Sequence, residues 1–95
     1  MNDNAKQVLL SHIAAYNKSV VAYRTNCTSD NETICLKNRR YLTGFRDCLA
    51  TFGFNVSFEY DGEQFITEIK GFYVSDGDSA VHEVVSPYDR DNFYC

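Results

Sequence analysis

Two histidines, four cysteines and a scatter of carboxylates are the residues of this chain whose types could support chemistry. His12 falls at the edge of a helical stripe and His82 within a short apolar alternation. Neither has a nucleophile or a metal-ligand partner near it in sequence, so both read as structural or surface residues. The cysteines stand at positions 27, 35, 48 and 95, a spacing that matches none of the common zinc patterns. Cys48 falls on the apolar stripe of an expected helix, where a free thiol packs as a small hydrophobe. Cys27 and Cys35 bracket a polar loop and would bridge in an oxidising compartment. Reduced structural thiols are the leading expectation, with a Cys27–Cys35 disulfide or metal binding as alternatives. Asp76 and Asp78 form an Asp-x-Asp pair that lacks the ligand spacing of a calcium loop. No phosphate-binding glycine loop occurs. The expectation is a protein that is not an enzyme and uses no metal or cofactor.

Charge is the stronger signal. Residues 1–52 hold seven basic and four acidic side chains, net +3, and residues 53–95 hold two basic and nine acidic, net −7. Glu59, Asp61, Glu63 and Glu68 are expected to cluster on one β-hairpin, with Asp76 and Asp78 extending the field at the next turn. Carboxylates spread along a hairpin can stand in for phosphates and enter a groove built for nucleic acid, in a salt-sensitive, fast association. The competing reading is that they keep a small domain soluble. Lys37, Arg39, Arg40 and Arg46 form the opposite candidate, a basic helix face for a phosphate backbone. Arg39 and Arg46 lie two turns apart and share a face with Thr43. A sequence pI of 4.9 argues against direct nucleic-acid binding.

The elements that must position these groups follow from periodicity. Leu9, Ile13, Tyr16, Val20 and Tyr23 recur at steps of four and three, which predicts an amphipathic helix over about 4–24, widened by Leu10 and Val21 and capped by Asp3 or Asn4. A polar loop follows. Ser29 and Glu32 form a capping box for a second helix over about 30–52. Its stripe is Ile34, Tyr41, Phe45, Cys48, Leu49 and Phe52, with Leu42 beside it, and Gly53 ends it. Gly44 is expected to permit close packing against the first helix. The period then drops to two. Phe54, Val56, Phe58 and Tyr60 alternate with polar residues in a strand over about 54–60. Asp61-Gly62 predicts a two-residue turn into a strand over about 63–75, pairing Phe58 with Phe65 and Val56 with Thr67. A bulge at Gly71 would bring Phe72 and Val74 back to the core face. A third strand is expected over about 80–86, stopped by Pro87, with a tail over 87–95.

The 95 residues make one domain with one core. The fold class is α+β, an antiparallel two-helix hairpin packed on a small antiparallel sheet of two to three strands. Four Asn-x-Ser/Thr triplets start at Asn17, Asn26, Asn31 and Asn55 and read as coincidence. The polar N-terminus has no signal-peptide pattern, and no apolar run approaches the roughly 20 residues of a membrane helix, so a cytoplasmic location in the host cell is expected. At class level the chain resembles the small inhibitors encoded by phages and mobile elements, anti-CRISPR proteins among them, in size, acidity and lack of catalytic motifs. That resemblance implies an acidic binding face that blocks nucleic-acid access to a CRISPR effector nuclease, a larger partner with a basic surface. The alternatives are a nucleic-acid-binding accessory protein that uses the second helix, and a homodimeric scaffold joined through its aromatic helix stripe.

Overall fold

The stripe at Leu9, Ile13, Tyr16 and Val20 is the spine of the protein. A computed structural model describes residues 2–63, 65–76 and 79–85, with Asp76 and Ser79 described through their backbone alone. The first helix, α1 (Asp3–Thr25), buries all four of those residues. Its cap is Asn2, one residue earlier than expected, whose side chain accepts from the Ala5 N–H at 2.8 Å. Residues 26–28 turn the chain. The second helix, α2 (Ser29–Thr51), is capped by Thr28, whose hydroxyl accepts from the Asn31 N–H. The cap thus sits one residue before the expected Ser29, and the Asn31 side chain turns back to the Asn26 carbonyl. Gly53 ends α2 with φ of +90°, the left-handed stop that a glycine provides.

The buried line of α2 differs from the expected one. Cys35, Leu42 and Leu49 are buried, with Phe45 half-buried beside them, whereas Ile34, Tyr41, Cys48 and Phe52 are exposed. Two apolar lines run along this helix one residue apart, and a period of 3.6 cannot choose between them. Contact with α1 makes the choice. Gly44 lies away from that contact, because a Cβ built on it meets nothing within 4 Å. Its expected role in packing against α1 is therefore not the one it plays.

Three antiparallel strands, β1 (Phe54–Tyr60), β2 (Ile69–Asp76) and β3 (Ser79–Val84), follow in the order β1-β2-β3. The fold class is the expected one, two helices packed on a small antiparallel sheet. Its register is not. Phe58 lies opposite Phe72 and Val56 opposite Val74, and no two-residue turn forms at Asp61-Gly62. With a tight turn, Phe72 and Val74 would run past the end of β1 without a partner. The observed register keeps both in the sheet and stacks apolar pairs on its inner face. Residues 61–68 become a loop, and Phe65, expected in the core, is 72% exposed. The expected irregularity exists one residue away. Glu59 pairs with Gly71 and Tyr60 with Ile69, so Lys70 is the extra residue, and the bulge brings Ile69, Phe72 and Val74 to the core together. The tail over 87–95 and the end of the expected third strand lie outside the described residues.

Gly71 has a steric reason to be glycine. A Cβ there would lie 2.9 Å from the Glu83 carbonyl oxygen and 3.2 Å from both Glu59 Oε2 and His82 Nε2. Backbone on the neighbouring strand cannot swing aside as a side chain can. Gly71→Ala is expected to destabilise the fold by about 1–3 kcal/mol, measured by urea unfolding.

Candidate binding surface: the β1–β2 loop

The eight residues 61–68 form an unusually long connection for neighbouring antiparallel strands, and loops of this kind often carry function. Their conformation is set from beneath. The Asp61 N–H donates to the Glu68 carbonyl at 2.8 Å and closes the base of the loop. The Thr67 hydroxyl donates to the Asp61 carbonyl at 2.9 Å, and the Tyr16 hydroxyl donates to the Thr67 carbonyl at 2.9 Å. Asn17 makes the tightest tie. Its Nδ2 donates to the Ile69 carbonyl at 3.0 Å, and its Oδ1 accepts from the Ile69 N–H at 2.8 Å. One side chain from α1 thereby satisfies both backbone groups of the first residue of β2, as a neighbouring strand would.

Glu68 joins this network. Arg24 Nη1 lies 3.2 Å from its Oε1 and 2.8 Å from its Oε2. The carboxylate is only 3% exposed. Glu68 was expected on the outer acidic face of a hairpin. It is instead a buried anion held against α1, and a partner cannot reach it without opening the loop. On the far side, Arg39 Nη1 donates to the Phe65 carbonyl at 3.0 Å, and its guanidinium lies 4.9 Å from the Phe65 ring and 5.7 Å from the Tyr60 ring. The loop is thus fastened to both helices. Burial pushes the Tyr16 phenol from 10.0 up to about 12, with the Arg39 charge opposing the shift.

The remaining predicted carboxylates have separate fates. Asp61 and Glu63 are exposed in the loop, with no ion-pair partner among the described residues. Glu59 projects from the outer face of the sheet, 3.8 Å from Lys70 Nζ and 2.8 Å from His82 Nε2. His82 also stacks on Tyr73, with ring centroids 4.3 Å apart. The Asp76 side chain and the whole of Asp78 lie outside the described residues. The surface that the loop displays is therefore Asp61, Glu63 and Phe65. Beside it a groove of about 450 Å³ runs between Tyr23, Arg24, Cys27 and Glu32 on the helix side and Phe65 and Ile66 on the loop side.

The basic candidates do not make one face. Arg39 and Arg46 do share a side of α2, but it is turned towards the sheet, where Arg46 lies 5.8 Å from the Phe58 ring. Lys37 sits 5.8 Å from the Tyr41 ring and Arg40 is exposed, both outside that side. His12 is half-buried, tilted against Phe45 at 5.5 Å. Cys27, Cys35 and Cys48 are free thiols, and Cys35 is buried in the core, where desolvation raises its pKa. Among the described residues no group of three His, Cys, Asp or Glu side chains is placed to hold a metal, and no helix is long and apolar enough to cross a membrane.

The residues that brace or are displayed by this loop and that sequence reasoning missed are Asn17, Arg24, Thr67 and Phe65. Asn17 reads as a polar residue off the helix stripe. The signal that could have found it is its spacing of four from both Ile13 and Val21, which lie on the buried side of α1. What these residues define is a two-layer α+β domain that displays one braced loop. No protein-family model, no curated protein and no solved structure matches the chain.

Replacing Asn17 by Leu keeps the volume but leaves two buried backbone groups unpaired. It is expected to cost about 2–4 kcal/mol, with hydrogen exchange at the Ile69 amide rising more than exchange in α1. The raised Tyr16 pKa has its own consequence. The folded state holds this proton more tightly than the unfolded chain, so its contribution is intact below pH 10 and is lost as pH rises through about 12. Stability measured by urea unfolding should fall over that window, and less steeply in Tyr16→Phe.

Proposed function

We propose that this chain is a small non-enzymatic binding protein that presents the β1–β2 loop to a basic surface on a larger protein. One observation carries the reading. A polar network, buried where Tyr16 and Asn17 meet the loop, fastens its base at Asp61, Thr67 and Ile69, while Asp61, Glu63 and Phe65 project from it with their carboxylates and ring exposed. A loop already ordered before binding avoids the entropy cost of ordering at the interface. An aromatic ring flanked by free carboxylates suits a site in which Lys or Arg surrounds an apolar pocket. The adjacent groove gives a partner side chain a place to enter.

The surface is smaller than the whole acidic half. Glu68 supports the loop instead of meeting the partner, and Glu59 contributes from the sheet face at its edge. On the finer reading, the partner's basic surface is the nucleic-acid groove of a CRISPR effector nuclease, the carboxylates stand where phosphates would, and the setting is the cytoplasm of the host cell.

The test is capture of a partner from a host lysate by the tagged chain, followed by titration with the purified pair. The combined reversal Asp61→Lys and Glu63→Lys should weaken binding by about 10-fold or more, chiefly through slower association, and the wild-type affinity should fall as salt rises. Phe65→Ala should weaken it through faster dissociation. Retained affinity in both variants would sink the proposal. Gln7→Lys, exposed on α1 away from both the loop and the outer face of α2, serves as the control.

A further inference from the structure

The second apolar line of α2 is uncovered along its whole length. Ile34, Tyr41 and Phe52 are 50%, 53% and 71% exposed, and Cys48 is exposed between the last two. With Lys37 and Gly44 they fall at positions 34, 37, 41, 44, 48 and 52, a seam stepping by threes and fours that runs about 27 Å from Ile34 to the C-cap residue Phe52. Such a line, about 100° around the helix from the side already packed against α1, is what a second helix would cover. Near its C-terminal end it opens into a groove of about 590 Å³, with Val8 of α1 and Phe54 of β1 on its walls.

Two further observations say what covers it. Gly44 lies in the middle of this seam, at a cost of about 1 kcal/mol relative to Ala in a helix interior. Among the described residues nothing approaches it, since a Cβ there meets no atom within 4 Å. Its use is the close approach of another backbone from outside. The flanking charges then choose the partner and its direction. Arg40 and Asp47 are exposed, seven residues apart on the same side of the seam, and they straddle Gly44. Asp47 makes only a solvent-facing contact with its neighbour Arg46, at 3.6 Å. In a helix lying antiparallel across Gly44, Arg40 of each copy meets Asp47 of the other, Tyr41 meets Cys48, and Ile34 reaches towards Phe52. In a parallel two-fold pair the partner's Arg40 and Asp47 would lie on the opposite flank of the seam, and neither ion pair would form.

We infer that the outer face of α2 is the interface of an antiparallel homodimer, with its two-fold axis at Gly44. This surface is separate from the β1–β2 loop, and the inference does not rest on the proposed function.

Sedimentation equilibrium on the full chain, under reducing conditions and over a concentration series, tests it. The expected result is a reversible monomer–dimer equilibrium. Gly44→Gln should keep the fold, because its side chain meets only solvent in the monomer, yet weaken the dimer by about 10-fold or more. Arg40→Asp and Asp47→Arg should each weaken it several-fold, and the two together should restore it, because the swap rebuilds both ion pairs. Circular dichroism of each variant confirms folding. A monomer at every concentration overturns the inference, as does a dimer indifferent to Gly44→Gln or one that the double swap fails to restore.

Discussion

The side chain of Asn17 does for β2 what a fourth strand would do. Where a chain leaves a loop and enters a sheet, its first residue has a donor and an acceptor that must be paired before the site can be dry. Asn17 supplies both partners to Ile69 from within α1. The position of β2 along the helix layer is thereby fixed, and with it the register that sets Phe72 opposite Phe58. The length of the loop follows, since everything between Tyr60 and Ile69 must be accommodated outside the ladder. A polar residue on the first helix thus governs the geometry of a surface more than 40 positions later in the chain.

The Arg24–Glu68 pair contributes differently. Removing a carboxylate from water costs several kcal/mol, and attraction to the partly exposed Arg24 offsets that cost without clearly exceeding it. The pair is therefore a poor source of stability. It is a better source of uniqueness, because the two oxygens of Glu68 are both held by Arg24 only when the loop sits in this position. Tyr16, Thr67 and Glu68 interlock so that none can move without leaving another unsatisfied. Among the described residues no buried side-chain polar atom lacks a partner, which is the condition under which such a network rigidifies instead of destabilising.

What could be read from the sequence follows the range of each interaction. Helix and strand positions depend on periodicity over a few residues, and Leu9-Ile13-Tyr16-Val20 and Phe54-Val56-Phe58-Tyr60 carried it without ambiguity. The turn failed because Asp61-Gly62 is a local preference, of the order of 1 kcal/mol, set against the burial of two large apolar side chains at about 1.5–3 kcal/mol each. Phe72 and Val74 decided that contest from a distance. The α2 face failed for a related reason, since Tyr41 and Leu42 stand side by side and only the surface of α1 separates them. The candidate site was half legible. Asp61 and Glu63 are exposed as expected, but nothing local distinguishes them from Glu68, whose partner Arg24 is 44 residues away.

Net charge also proves a poor guide to where charge is available. The β half holds nine carboxylates, yet Glu59, Glu68 and Glu83 lie against Lys70, Arg24 and Lys6. The summed charge still shapes the field that a distant partner feels within about a Debye length of roughly 10 Å. Recognition at contact depends on the fewer groups left unpaired and held still. If α2 pairs about Gly44, each dimer carries two such loops, on opposite sides of the two-fold axis. A partner with two basic sites at that spacing would then meet the second loop at a high effective concentration, and modest affinity at each loop would suffice. The small size of the acidic surface is thus no obstacle to tight binding, provided that the two loops are held as rigidly relative to each other as each is to its own helices.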